Sequence, residues 1–352
     1  YSAMDFEYEP EKARNMSKVY RNEHGETLVW RLQDGSFIRA EIDSCFFGQW
    51  FYAVMVGHCG ILRAAKYFGN SWYERYFIDS MGVMTDFYER AVYDLECAEI
   101  MPAVLQRSVR LDCMDPIGSI GMNAADAYLL TGENRFLMMV YRLRDALYGK
   151  VPRDSEGVIN RISTMWSDDL YMSIPFIVRL GKIFADNRYY SDAYNLIKKY
   201  FERMYIPEKQ IFSHIYFMDE KEKSLVAWGR GNGWVMWALA EFLDNVPEDY
   251  EGYTEIQGLF SDMAEGICKY QDASGMWHQV LDKEETYLET SCTAMFLYAL
   301  LRGRLKGILG AKVDYNIEKA YIGLTERCID EEGNIYGVCK GSGCSKDYKM
   351  YS

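Results

Sequence analysis

Residues 186–204 read DNRYYSDAYNLIKKYFERM. The first five letters are typical of a turn, because they place small polar residues before two aromatic ones. The apolar residues that follow recur every three or four positions, at Tyr190, Ala193, Tyr194, Ile197, Phe201 and Met204. This spacing puts them on one side of a helix. The segment therefore predicts a turn followed by an amphipathic helix that packs on a neighbour.

The same kind of turn occurs twice more, as GNSWY at 69–73 and GENRF at 132–136. Its asparagines, Asn70, Asn134 and Asn187, are 64 and 53 residues apart. Further helical hairpins are predicted to begin near Asn232 and Thr290, which makes five units. A second apolar stripe is predicted in the last of them, at Ala294, Leu297, Tyr298, Leu301, Leu305 and Ile308. Hairpins repeated at this spacing predict an all-α fold, an α/α toroid whose inner helices begin around a central cleft.

Composition narrows the classes of function. Hydrophobic residues make up 49% of the 352 positions, and the 29 tyrosines and 8 tryptophans suit either helix interfaces or sugar rings. A net charge of −13 argues against nucleic acid and against an anionic membrane surface as partners. No run approaches the roughly 18 apolar residues of a membrane helix.

We expect a single catalytic domain over residues 41–352 and a separate extension over residues 1–40, where helical periodicity is weak. Nine cysteines without paired spacing are typical of buried thiols in a reducing compartment, so we expect a cytoplasmic location. The chain starts at Tyr1, so removal of an export signal stays compatible with the sequence. The sequence leaves the oligomeric state open.

The run WGRGNGW at 228–234 is the strongest candidate for a binding site. Its three glycines indicate a sharp turn or a close approach, and its indoles and guanidinium suit a sugar that carries a carboxylate. A dinucleotide-binding turn is excluded, because the position of its third glycine is occupied by Trp234. A plain loop before a helix and a carbohydrate site both stay open.

Asp168, in MWSDDLYM at 165–172, is the leading catalytic candidate. It could simply cap a helix, as could Ser167. Aromatic neighbours such as Trp166 would instead desolvate its carboxylate, which would raise its pKa toward that of a general acid. Asp112 in LDCMDP at 111–116 could supply a second acid, and two carboxylates are the working groups of most glycosidases.

His214 lies in the apolar stretch IFSHIY at 211–216, where a hydrogen-bonded core histidine and a functional one are both possible. The chain's four histidines and nine cysteines show no spacing typical of a metal site. No organic cofactor motif is present either. We therefore expect neither a metal nor a cofactor.

These motifs resemble the unsaturated rhamnogalacturonyl hydrolases of glycoside hydrolase family 105 and the related unsaturated glucuronyl hydrolases of family 88. The matching stretches are MWSDDLYM at 165–172, WGRGNGW at 228–234, QD at 271–272 with GMW at 275–277, ETS at 289–291 and GNIYG at 333–337. They cover roughly residues 45 to 345. The resemblance implies an (α/α)6 barrel; the last barrel helix of the family is not evident before Ser352.

The resemblance also implies an activity on oligosaccharides made by polysaccharide lyases, in which the C4=C5 bond of a terminal unsaturated uronate is hydrated. By match to the motifs, Asp168 would donate and then accept the proton, with Asp112 as a less closely matched second acid. The substrate-binding residues would be Trp166, His214, Trp228, Arg230 and Trp234. Two alternatives stay open: an ordinary inverting glycosidase on the same barrel, and a carbohydrate-binding relative without turnover.

Overall fold

The computed structural model describes residues 5–7, 29–31, 37–39, 50, 52–97, 106–111 and 113–351. They belong to two compact units, Tyr1–Val151 and Pro152–Ser352. In the first unit, three short strands form an antiparallel sheet: β1 (Asp5–Glu7), β2 (Val29–Arg31) and β3 (Phe37–Arg39), with β2 in the middle. This sheet falls within the predicted extension. The single domain predicted for residues 41–352 stays a prediction.

The first unit continues with five helices in its described part. They are α1 (Tyr52–Phe68), α2 (Ser71–Cys97), α3 (Gln106–Arg110), α4 (Met114–Thr131) and α5 (Asn134–Gly149). Helices α1 and α2 pack as one hairpin and α4 and α5 as another. Asn123 in α4 donates hydrogen bonds from its buried side chain to the carbonyls of Ser119 and Met55, which ties α4 to α1.

The second unit contains three further helical hairpins. They are α6 (Asp168–Phe184) with α7 (Asn187–Met204), α8 (Gly229–Asn245) with α9 (Tyr253–Lys269), and α10 (Thr290–Leu305) with α11 (Asp314–Arg327). Helix α8 packs between α6 and α10. The buried Arg179 of α6 forms an ion pair with the buried Glu241 of α8 at 2.8 Å. The five predicted hairpins are therefore all found among the described residues.

The three predicted turns share one backbone geometry. Gly69, Gly132 and Ala185 each follow the end of a helix in the left-handed conformation, with φ of 62°, 69° and 51°. Glycine adopts this conformation at little cost, which explains it at two of the three sites. The next helix begins two residues later, and the side chains of Asn70 and Asp186 accept hydrogen bonds from its first N–H groups.

The predicted apolar stripe of α7 is confirmed, whereas that of α10 is wrong. Helix α7 buries the predicted residues except for the half-buried Tyr194. Helix α10 exposes Ala294, Leu301 and Leu305, and Ile308 lies beyond its end. It buries Cys292, Thr293, Met295, Phe296, Ala299 and Leu300 instead. Apolar residues occur around much of α10, so periodicity does not select the face that packs.

Short strands between the helices of the second unit position the predicted site. Strand β4 (Thr164–Trp166) pairs antiparallel with β7 (Ile215–Phe217), which also pairs with β8 (Glu222–Lys223). Two more pairs are β5 (Tyr205–Ile206) with β6 (Ile211–Phe212) and β9 (Trp277–His278) with β10 (Leu288–Glu289). Because Trp166 pairs with Ile215, the residues next to them, Ser167 and His214, are brought together.

The buried thiols predicted from the sequence are present: Cys59, Cys292, Cys328 and Cys339 are buried and form no disulfide. In the described part of the chain, no helix combines the length and the apolar character that a membrane span requires.

Candidate active site

Asp168 lies at the first position of α6, directly after strand β4 and Ser167. The backbone N–H of Ser167 donates to the carbonyl of His214 at 2.9 Å, which holds the strand end against the start of the helix. The Asp168 side chain is 15% exposed, so part of it still reaches the surface of the unit. A carboxylate at a helix N-terminus is also stabilised by the helix dipole.

His214 is fully buried and contacts two polar side chains through its two ring nitrogens. Its Nε2 lies 3.1 Å from Oδ2 of Asp168, and its Nδ1 lies 2.7 Å from the hydroxyl of Tyr351. The backbone N–H of His214 donates to the carbonyl of Val226. The predicted acid and the predicted histidine are therefore direct hydrogen-bond partners.

The pKa of Asp168 lies below its ordinary value, which contradicts the predicted rise toward a general acid. Burial does raise the pKa, as the sequence suggested. However, the hydrogen bond and the electrostatic attraction from His214, together with the charge of Arg161, lower it by more. The aromatic neighbourhood was visible in the sequence, but the effect of these two partners on Asp168 was not. These two partners therefore favour the carboxylate form of Asp168.

Two of the predicted tryptophans contact His214. The indole of Trp166 meets its ring edge-on at 5.1 Å between centroids, and the indole of Trp228 lies 4.6 Å away. Trp228 is buried in a cluster with Val226, Val280, Cys339 and Tyr351, whereas Trp166 stays half-buried. Of these two indoles, Trp166 is thus the one with surface available to a ligand.

The glycine-rich run is the start of a helix and not a loop. Helix α8 begins at Gly229, so Gly231 already lies in its first turn. A Cβ atom added to Gly231 would lie 2.6 Å from Oγ of Ser167 and 3.3 Å from the His214 ring. The predicted close approach is therefore confirmed, but what approaches Gly231 is the residue before Asp168. Glycine here lets α8 pack directly against the candidate acid's own turn.

Arg230 is buried next to Trp228. Its guanidinium lies over the Trp228 ring at 4.8 Å and donates to the carbonyl of Cys339 and to the hydroxyl of Ser291. Ser291 in turn donates to Glu289, which caps α10. These bonds fix one edge of the guanidinium to the protein. A fixed, buried cation of this kind suits a carboxylate ligand.

Trp234 lies one turn further along α8, in a separate aromatic stack. Its ring lies 4.5 Å from that of Tyr171 and 6.0 Å from that of Trp237, and it is 4% exposed. The structure thus brings Asp168, His214, Trp166, Trp228 and Arg230 together. The role of all these side chains toward a ligand stays a prediction.

Asp112, the predicted second acid, lies outside the described residues, so its role also stays a prediction. Within the described part of the chain, no group of three or more histidine, cysteine, aspartate or glutamate side chains could hold a metal ion. A cavity of about 400 Å³ in the first unit is lined by Trp50, Trp72 and Tyr76 among others, and none of the predicted site residues that the structure describes lines it.

Two site residues were not predicted. Arg161 forms a bidentate ion pair with the buried Asp169, at 2.6 Å from its Nη2, and lies over the Trp166 ring at 5.4 Å. Tyr351 bonds His214 across 137 residues of sequence. Arg161 could have been suspected from the adjacent acids at 168 and 169. Nothing in the local sequence around Tyr351 points to His214.

A family model and several known proteins match this chain, and they all point to one group of glycoside hydrolases. The model of the family described as Glycosyl Hydrolase Family 88 matches residues 38–352. The unsaturated rhamnogalacturonyl hydrolase YesR of Bacillus subtilis is 25% identical over 245 residues, which are 66% of this chain and 69% of that protein. An unsaturated 3S-rhamnoglycuronyl hydrolase of Formosa agariphila is 30% identical over 198 residues. That match covers 53% of this chain and about half, 52%, of the relative.

Solved structures share the fold. A crystal structure from Klebsiella pneumoniae, described as a possible member of family GH105, superposes with a TM-score of 0.75 at 20% identity. It covers 97% of this chain and 84% of its own. The predicted fold class, all-α and of the (α/α)6-barrel type, is thereby confirmed.

Proposed function

The chain belongs to glycosyl hydrolase family 88, and we propose that it releases the unsaturated uronic acid that a polysaccharide lyase leaves at the non-reducing end of an oligosaccharide. The names of its relatives, hydrolases of unsaturated rhamnogalacturonyl and rhamnoglycuronyl units, support this substrate class. The observation that carries the proposal is the contact between Asp168 and His214 at the start of α6. It places one partly accessible acidic side chain close to the indole of Trp166. The guanidinium of Arg230 lies over the indole of Trp228, which also contacts His214.

The reaction that fits one such carboxylate is hydration of the C4=C5 vinyl ether. A protonated Asp168 gives its proton to C4, which leaves positive charge shared between C5 and the ring oxygen. Water then adds to C5 while its proton passes back to Asp168, so the acid is regenerated. The resulting hemiketal opens to a 5-keto sugar and releases the neighbouring sugar. The carboxylate stabilises the charge on C5 between the two proton transfers.

The low pKa of Asp168 means that its proton has to arrive with the substrate. A bound uronate brings a second negative charge and displaces water from the carboxylate. Both effects raise the pKa of a carboxyl group, because they disfavour its ionised form. The pocket is thus expected to hold Asp168 charged when empty and to favour its protonation when a uronate is bound.

The other site residues fit the binding of a charged sugar. Trp166 offers a half-buried ring surface next to Asp168, and sugar rings pack on such faces. Arg230 provides a fixed positive charge close to the His214 side of the site. We assign Arg230 to the uronate carboxylate and Trp166 to the sugar ring.

Asp168→Asn tests the proposal. Asparagine keeps an acceptor for His214 but cannot carry the transferred proton. We expect at least a 10³-fold loss of kcat on a lyase-generated unsaturated disaccharide, with the fall in alkene absorbance as the assay. Thermal unfolding should change by no more than a few degrees. Activity retained by Asp168→Asn would contradict the role of Asp168.

Asp186→Asn is the matched control, because this residue also starts a helix and asparagine is an equally good cap. It should keep full activity. Two other outcomes separate the alternatives. Cleavage of a saturated uronoside would identify an ordinary inverting glycosidase, and binding without any fall in alkene absorbance would identify a carbohydrate-binding relative.

A further inference from the structure

Tyr351 is the residue of the site that the proposed reaction does not use. Its hydroxyl lies 2.7 Å from Nδ1 of His214, and its ring meets the imidazole edge-on at 5.4 Å. The residue is 4% exposed. Its backbone carbonyl accepts a hydrogen bond from the side chain of Gln279. Both ends of Tyr351 are therefore held in place.

The Tyr351 hydroxyl has a second polar neighbour besides His214. The backbone N–H of Ser345 hydrogen-bonds the Tyr351 hydroxyl, and an N–H can only donate. The hydroxyl thus accepts from Ser345, and its own proton is available for Nδ1 of His214. Burial raises the pKa of Tyr351 well above its ordinary value, so the phenol keeps that proton.

The other ring nitrogen faces an acceptor. In its carboxylate form Asp168 has no proton to donate, so Nε2 of His214 has to carry the hydrogen of their bond. In its neutral form His214 has one N–H, and a carboxylate beside Nε2 favours that hydrogen on Nε2, which leaves Nδ1 to accept from the Tyr351 hydroxyl. With the opposite tautomer, the lone pair of Nε2 would face the carboxylate and the hydroxyl proton would face Nδ1–H.

We propose that Tyr351 is a positioning residue that fixes the Nε2–H tautomer of His214 and thereby holds Asp168 in the orientation that the reaction needs. The inference rests on the proposed function for its catalytic consequence. The tautomer itself is a property of the protein without substrate. Tyr351 acts through His214 and is not assigned any contact with the sugar.

Tyr351→Phe is the variant that tests this role, because it keeps the ring packed on His214 and Trp228 and removes only the hydroxyl. We expect kcat to fall by about fivefold with KM unchanged, the size expected when one hydrogen bond worth about 1 kcal/mol is lost. Tyr348→Phe is the matched control. It removes a hydroxyl from the same short 3₁₀ helix and from a side chain packed on the same cluster, and it should leave kcat unchanged.

Nitrogen-15 NMR of histidine-labelled protein reads the tautomer directly. The chain has only four histidines, and the His214→Gln variant assigns the signal of His214. We expect the wild-type protein to show a protonated Nε2 and a bare Nδ1, and Tyr351→Phe to show a mixture of tautomers. A wild-type His214 protonated on Nδ1 would overturn the proposal without any variant. So would a Tyr351→Phe protein that keeps both the wild-type tautomer and the wild-type kcat.

A loss of activity confined to KM would also overturn the proposal, since a positioning residue should not alter sugar binding. The two hypotheses fail separately. If the wild-type protein turns over no unsaturated uronide, the proposed function is wrong, while the NMR measurement still decides the role of Tyr351.

Discussion

Asp168 has to release a proton and recover it within one turnover, although its surroundings favour the charged form. His214 and Arg161 hold its pKa below the ordinary value in spite of burial. A permanently raised pKa would give a ready acid but a poor base. A pKa that starts low and rises only when an anionic sugar is bound serves both steps, because the proton is taken up together with the substrate.

This account predicts that the pH dependences of kcat and kcat/KM differ. The reactive form is protonated Asp168, so both quantities fall as the pH rises through the relevant pKa. The pKa that controls kcat/KM belongs to the free enzyme and lies low, whereas the one that controls kcat belongs to the complex and lies higher. KM should therefore increase with pH in the range between these two pKa values. Steady-state kinetics over a range of pH would test this. A decline of kcat and of kcat/KM at the same pH would contradict it.

At the scale of the residue, the sequence predicted which residues form the site better than it predicted the pKa of Asp168. Asp168 and His214 were both selected, and they are in contact. The direction of the pKa shift was predicted wrongly, because the prediction weighed only the aromatic neighbours of Asp168 and not its contacts with His214 and Arg161. His214 is 46 residues away, and neither its distance nor its hydrogen bonding follows from spacing.

At the scale of the element, the start of α8 connects the two motifs of the site. Gly231 allows α8 to approach Ser167, and Ser167 is bonded to the backbone of His214. A side chain at this position would push against the turn that carries Asp168. The glycines of this run are therefore part of the packing between helices, and they influence the chemistry through the placement of Asp168.

Gly231→Ala is expected to lower activity and stability together. The new methyl group would lie 2.6 Å from Oγ of Ser167, so either Ser167 or α8 has to shift. Overpacking of this kind costs about 1–3 kcal/mol of unfolding free energy. We also expect at least a tenfold loss of kcat, because the shift displaces Asp168. Urea unfolding and kinetics on the same preparation would measure both effects.

Gly258→Ala provides the comparison, because a Cβ atom there would meet nothing within 4 Å on the exposed side of α9. Alanine should stabilise this helix by up to about 1 kcal/mol and leave kcat unchanged. Equal effects of the two substitutions would show that Gly231 has no special role.

The helices illustrate what periodicity can and cannot predict. The apolar stripe of α7 was predicted correctly because polar residues occupy the rest of its surface. In α10, leucines also occur on the exposed side, at Leu301 and Leu305, so several faces look equally apolar in sequence. The buried face is decided there by packing against α8 and α11, which the sequence of one helix does not contain.

At the scale of the whole molecule, the net charge of −13 opposes an anionic substrate. The repulsion acts over a distance of about 8–10 Å at moderate ionic strength and weakens when salt is added. We therefore expect kcat/KM to increase between low and moderate salt. The increase should be larger for an oligosaccharide with several carboxylates than for a disaccharide with one. A decrease with salt for both substrates would contradict this prediction.

The fold as a whole was predictable because its repeated hairpins are joined by short turns of one recognisable type. Three turns of one type and five hairpin starts were sufficient to indicate an α/α fold, and the hairpins lie where the sequence placed them. For the three-stranded sheet of β1, β2 and β3, the sequence indicates only turns at 23–26 and 33–36 with a short hairpin between them. Its strands are three residues each and carry too little alternation to be recognised without their partners.

The bond between His214 and Tyr351 also has a consequence for synthesis. The two residues are 137 positions apart, and a ribosome adding roughly 5–20 residues per second needs about 7 to 27 s to pass from one to the other. Helices α6 and α7 are made before that interval and α8 to α11 during it, while His214 still lacks the Tyr351 hydroxyl at its Nδ1. The helices of the second unit can therefore assemble first, and the hydrogen-bonded form of the site is completed only when Tyr351 has been made.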